Sequence, residues 1–163
     1  MNEKYTIAAL RELICVRRDS EQALRLCAES VGAGSLGGLC EQGAAECAAA
    51  VRELEAWVDR LGGERQARAA VGGFWRSGWA GLRAALACDE DEAILDACER
   101  GESWILEAYR NALDDNLPEA VRDTVLRQFE ILMGTHDAFR GCRTRRMARG
   151  DVTVVPGAQA GQQ

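Results

Sequence analysis

The sequence predicts an all-α chain, a four-helix bundle whose second and third helices are joined by a long crossover that itself contains a short helix. Three observations carry this reading. Four segments repeat apolar residues in alternating steps of three and four, the spacing of one buried helix face. Only two prolines, Pro118 and Pro156, interrupt 163 residues rich in Ala, Leu, Glu and Arg, all strong helix formers except the prolines. Finally, two of the connections are short and one is long, which separates the topologies open to four helices.

The first segment runs from about Tyr5 to Val31, with the seam Ile7, Leu10, Ile14, Arg17, Glu21, Leu24, Ala28 and Val31. It is apolar at both ends and charged in the middle. The run Gly32–Ser35 ends it, and Ser35 can cap the next helix. The second segment, about Leu36 to Leu61, has the seam Leu36, Cys40, Gly43, Cys47, Ala50, Leu54, Trp57 and Leu61, and stops at Gly62 and Gly63.

The third segment follows the acidic run Asp89–Glu92, where negative charge suits a helix N-terminus, and ends near Asp114–Asn116. Its seam is Leu95, Cys98, Glu102, Ile105, Tyr109 and Ala112. The fourth begins around Pro118, a favoured first-turn residue, and turns Val121, Val125, Gln128, Phe129, Leu132, Thr135, His136, Phe139 and Cys142 inward. It closes in the basic "RTRRMAR", suited to a helix C-terminus. Residues 1–148 thus form one bundle domain, and 149–163, without helical period beyond Gly150, form a disordered tail.

Short loops make the first and second helices antiparallel, and likewise the third and fourth. The link from about Gly63 to Cys88 is long enough to return along the whole bundle. Within it Trp75, Trp79, Leu82 and Leu86 share one side of a short helix.

Composition excludes several classes of function. The net charge of −6 argues against a general nucleic-acid binder, which carries a basic face. No apolar run approaches a membrane span, and the N-terminus lacks the pattern of a signal peptide. Seven cysteines are then read as cytoplasmic thiols rather than as a disulfide framework.

Glu102 interrupts an otherwise apolar seam, and burying a carboxylate requires a partner, a proton or a metal. Folding the first hairpin brings Glu21 level with Glu46. Folding the second brings His136 level with Cys98 and Glu99, one turn from Glu102. Glu21, Glu46, Glu102 and His136 can therefore gather in one layer, a donor set suited to Fe, Mn or Zn. The preferred reading is a metal-free polar network in which Arg17 and Gln128 satisfy the carboxylates and fix helix register.

Thiols offer a different chemistry. Cys40 and Cys47 lie a heptad apart, and Cys27 falls opposite Cys40, so inward thiols can take a soft metal such as Cu(I). The competing explanation is that Cys packs here as a small apolar residue. Trp75 and Trp79, among several glycines, read first as a cover over the bundle and second as an anchor for a homo-oligomer or protein partner.

"LGG" (Leu61–Gly63), "GFWRSGWAGLRAAL" (Gly73–Leu86), "ILDACERGE" (Ile94–Glu102), "AYRNAL" running into "LPEAV", and "THDAFR" (Thr135–Arg140) resemble an uncharacterised bacterial four-helix-bundle family of the ferritin-like superfamily, a domain of unknown function. The resemblance implies a ferritin-like arrangement and no particular activity. Many members of the superfamily hold two metals at mid-bundle, with a Glu from each of two helices and a Glu-x-x-His pair from each of the others. Glu21 and Glu102 stand where the single carboxylates belong, and His136 can be one imidazole. Met133 stands where that histidine's Glu is needed, Glu46 only flanks the site, and His136 is the one histidine of the chain. A conventional di-iron centre is therefore not expected.

The expected function is a binding or structural role for a bundle with a degenerate polar centre and no ferroxidase. A reduced carboxylate/His metal site is the alternative, and thiol-based metal storage a second. No catalytic residues are assigned.

Overall fold

The computed structural model describes residues 2–64 and 77–153, with side chains through residue 148. Among the described residues every regular element is an α-helix: α1 (Glu3–Val31), α2 (Ser35–Arg60), α3 (Leu82–Cys88), α4 (Asp91–Asp114) and α5 (Glu119–Thr153). The four long helices are the four predicted segments, and α3 is the short helix of the crossover.

Their ends follow local chemistry. The Asn2 side chain accepts from the Lys4 backbone N–H at 3.1 Å and caps α1. Gly32 closes it with φ 67°, a left-handed backbone that costs glycine little. The turn is tight: a Cβ on Gly37 would lie 2.0 Å from the Gly32 carbonyl oxygen. One helix runs past its expected stop. α5 continues through Gly150 to Thr153, since a lone glycine costs a helix only ~1 kcal/mol and does not by itself end it. The remainder of the expected tail, residues 154–163, lies outside the described residues.

α1 packs on α2 and α4, and α5 on α2 and α4, so the long helices form a closed ring in the order α1, α2, α5, α4. Contacts fix their directions. Arg17 meets Tyr109 and Cys27 meets Cys98, so α1 and α4 are antiparallel. Trp57 meets Thr124 and Glu46 meets Thr135, so α2 and α5 are antiparallel. Because α1 is also antiparallel to α2, helices α2 and α4 run parallel, and the segment between them must return along the bundle.

That segment is keyed into α4 by complementary shapes. Trp79 is 1% exposed, and its indole Nε1 donates to Ser20 Oγ on α1 at 2.9 Å. It lies so flat on α4 that a Cβ at Gly101 would fall 2.3 Å from the indole ring. In return Trp104 covers Gly78, where a Cβ would lie 2.3 Å from its ring. Trp79 precedes α3 in a turn rather than belonging to the helix, and Trp75 lies outside the described residues.

The core draws on every long helix: Leu10, Leu13, Leu24, Leu54, Ile94, Leu95, Ile105, Val125 and Phe139 are all buried. Every predicted seam residue of α4 is buried, Glu102 included.

Candidate functional site

Halfway along the bundle the apolar core gives way to polar side chains. Glu102 on α4 is 1% exposed, and its Oε2 has no hydrogen-bond partner. Gly43 on α2 faces it, and a Cβ there would make an ordinary contact with Glu102 Oε1 at 3.7 Å but press on Leu24 Cδ1 at 3.0 Å. Burial pushes the Glu102 carboxyl up to about 8, against the pull of Arg17 and with smaller upward pushes from Glu46 and Cys40. At neutral pH it therefore holds its proton, which lowers the cost of burying it.

Arg17 on α1 is the buried cation of the same region, 2% exposed. Its Nε donates to the Tyr109 hydroxyl at 2.9 Å, and its Nη1 reaches Cys47 Sγ at 3.5 Å. The guanidinium carbon stands 4.9 Å from the Tyr109 ring centroid, a cation–π arrangement. Burial pulls the Arg17 pKa down, but Tyr109 and Cys47 outweigh it and the net shift is upward. Tyr109 donates onward to Gln128 Oε1 at 2.6 Å. Gln128 Nε2 donates to the Ala50 carbonyl at 3.4 Å and to Glu53 Oε1 at 3.5 Å. Glu53 is ion-paired with Arg127, which holds its carboxyl below the ordinary range. One chain of polar contacts thus crosses α1, α4, α5 and α2.

The four carboxylate and imidazole candidates do not share a single site. Glu46 accepts from Gln42 at 3.0 Å and from Thr135 Oγ1 at 2.5 Å, and it is close enough to Glu102 to influence it electrostatically. Glu21 is turned aside to Arg25, 2.8 Å away, and lines an outer cavity between α1 and α2 with Arg18 and Arg52. Ser20 and Ala23 take the buried positions beside it. His136 lines an open groove between α4 and α5 with Glu99, Ser103 and Glu107. Arg17 and Gln128 join a buried network, but through Tyr109, and it ends at Glu53 rather than at the candidate carboxylates.

The residues that do converge are cysteines. Among the described residues, the one group of three or more metal-ligating side chains is Cys27, Cys40 and Cys98, with all three sulfurs within 4.8 Å of one another. Cys98 Sγ is 3.6 Å from Cys27 Sγ and 3.9 Å from Cys40 Sγ. All three are 0% exposed. Thiol hydrogens from Cys40 and Cys98 hold Cys27 down at about 5, while its two partners are pushed up.

Cys47, expected in this set, is not part of it. Seven residues along a helix span ~10.5 Å, so Cys40 and Cys47 cannot face one small ion. Cys47 instead meets Arg17, and burial pushes it up to about 11. Cys98 was hidden from sequence reasoning because its meeting with α1 and α2 depends on how the crossover returns. Its place on the α4 seam was the available signal.

A family profile described as a domain of unknown function, DUF2383, matches residues 5–115. The chain belongs to this family. The DUF2383 match takes in α1 to α4, and with them Arg17, Glu102, Tyr109 and the three clustered cysteines. It ends before α5, which brings Gln128, Thr135 and His136. No curated protein matches the chain. Among the described residues no helix is long and apolar enough to cross a membrane.

Proposed function

We propose that the chain is a ferritin-like four-helix bundle, of bacterial type, whose centre is closed by an internal polar network, and that it serves a binding or structural role rather than ferroxidase chemistry. Supporting the ferritin-like reading are the parallel α2 and α4 and the single long crossover that they require. A reducing cytoplasm suits its thiol-rich interior.

The observation that carries the functional reading is Arg17. A di-metal centre needs anionic donors aimed at a shared space. Here a permanently charged guanidinium lies in the central layer, bonded to Tyr109 and Cys47. A divalent ion beside it would meet like charge in a medium that screens it poorly. The donors fit no better: Glu21 is spent on Arg25, and His136 lines an outer groove. The set does not suit two metals, so no oxygen chemistry is derived from it.

Untagged protein made in iron- and manganese-supplemented medium tests this reading. Elemental analysis by plasma mass spectrometry is expected to find both metals far below stoichiometry, and added Fe(II) to oxidise no faster than in buffer. Near-stoichiometric iron or manganese, lost in Glu102→Ala, would instead establish the reduced carboxylate site built around Glu102 and Glu46.

A further inference from the structure

We infer that Cys27, Cys40 and Cys98 form a three-coordinate site for a soft monovalent metal ion, Cu(I), one to two turns inside the end of the bundle. This is separate from the mid-bundle network and stands whether or not that network excludes iron.

Three helices each contribute one donor: Cys27 from the last turns of α1, Cys40 from the second turn of α2, and Cys98 from the second turn of α4. Sulfur on three separate rigid elements is a stronger arrangement than a flexible loop, because the helices hold the donors before the ion arrives. The distances suit the task. A metal–thiolate bond of ~2.3 Å sets the sulfurs of a trigonal site ~4 Å apart. Here two edges of the triangle are 3.6 and 3.9 Å and the third is within 4.8 Å.

Donor type and number select the metal. Thiolates favour Cu(I), zinc and iron–sulfur clusters over harder ions. Structural zinc takes four ligands and iron–sulfur clusters are held by four cysteines. Among the described residues no fourth His, Cys, Asp or Glu completes this group. Cu(I) is the ion in that series content with three sulfurs.

Thiolates, not thiols, ligate metal ions, so each sulfur gives up its proton to solvent as the ion enters. Three thiols and Cu(I) become a Cu(I) trithiolate and three protons, and no electron is transferred. The route in is short: the site lies just beneath the Gly32–Gly34 turn, and helix ends open locally far more readily than helix centres.

The test uses the full chain, reduced and kept anaerobic, titrated with Cu(I) in competition with a chromophoric Cu(I) chelator. Wild-type protein is expected to withdraw a single copper per chain, with the ultraviolet band of copper–thiolate bonds and three sulfur neighbours by X-ray absorption. Cys98→Ala is expected to lose that copper. Cys15→Ser with Cys88→Ser, which changes two exposed thiols, is expected to keep it. Circular dichroism melting establishes that each variant is folded. Should Cys98→Ala not fold, the sulfur count on wild-type protein decides alone. The proposal is overturned if wild-type protein takes no copper from the chelator, if folded Cys98→Ala retains it, if the exposed-thiol variant loses it, or if Zn(II) displaces Cu(I) at equal concentration.

Discussion

Glu102 and Arg17 show how burial sets the behaviour of a single residue. The Glu102 carboxyl is raised from its ordinary 4.5 to about 8, so the fold favours its protonated form. The sign follows from linkage: a carboxyl that binds its proton more tightly when folded stabilises most at low pH. That contribution is intact below about 4.5 and is lost as pH rises towards 8. The melting temperature should therefore fall between pH 5 and 8.5 by more than the surface ion pairs explain. Glu102→Gln should flatten the curve and raise the melting temperature at pH 8.5 by several degrees, since each pKa unit corresponds to ~1.4 kcal/mol. An unchanged slope in the variant would show that Glu102 ionises freely. Tyr109→Phe makes the opposite case. It leaves Arg17 Nε and Gln128 Oε1 without their shared hydroxyl, and a stranded buried group costs ~1–3 kcal/mol. Chemical denaturation should register that loss with an unchanged m-value.

At the scale of the element, legibility depended on which residue types fill the buried face. α4 reads cleanly because each apolar step from Leu95 to Ala112 is buried. α1 does not, because small and polar residues, Ser20, Ala23 and Cys27, fill part of its buried face. A seam drawn in steps of three and four therefore strayed onto Glu21. Small and polar residues such as Ser20 leave no apolar signal, although Ser20 holds the Trp79 indole. The crossover was legible as a cover through Trp79, but its interlock with α4 was not, since Gly101 says nothing about which ring covers it. That interlock gives a direct test. Gly101→Ala is helix-favouring by ~1 kcal/mol on propensity alone, yet its new methyl would meet the Trp79 ring. Overpacking of this kind typically costs ~1–3 kcal/mol. The variant should melt lower than wild type by calorimetry, with Trp79 fluorescence shifted towards that of an exposed indole. A higher melting point would mean that the crossover yields at no cost.

For the molecule as a whole, α5 is the element on which the bundle closes, although the family match stops before it. It brings Val121, Val125, Leu132, Phe139 and Cys142 into the core. It also supplies Gln128 to Tyr109, Thr135 to Glu46 and Thr124 to Trp57. Burying an apolar side chain of this size contributes ~1.5–3 kcal/mol. Four or five of them amount to the whole net stability of a typical domain, ~5–15 kcal/mol. The three hydrogen-bonded groups left behind would add their own penalties. A chain ending at Pro118 should therefore show no cooperative thermal transition as a monomer, and should bind a hydrophobic dye or associate through the face that α5 leaves open. Adding residues 119–153 back as a separate peptide should restore helicity and a cooperative melt. If the shortened chain melts cooperatively as a monomer, the matched segment is an independent folding unit and α5 an addition to it.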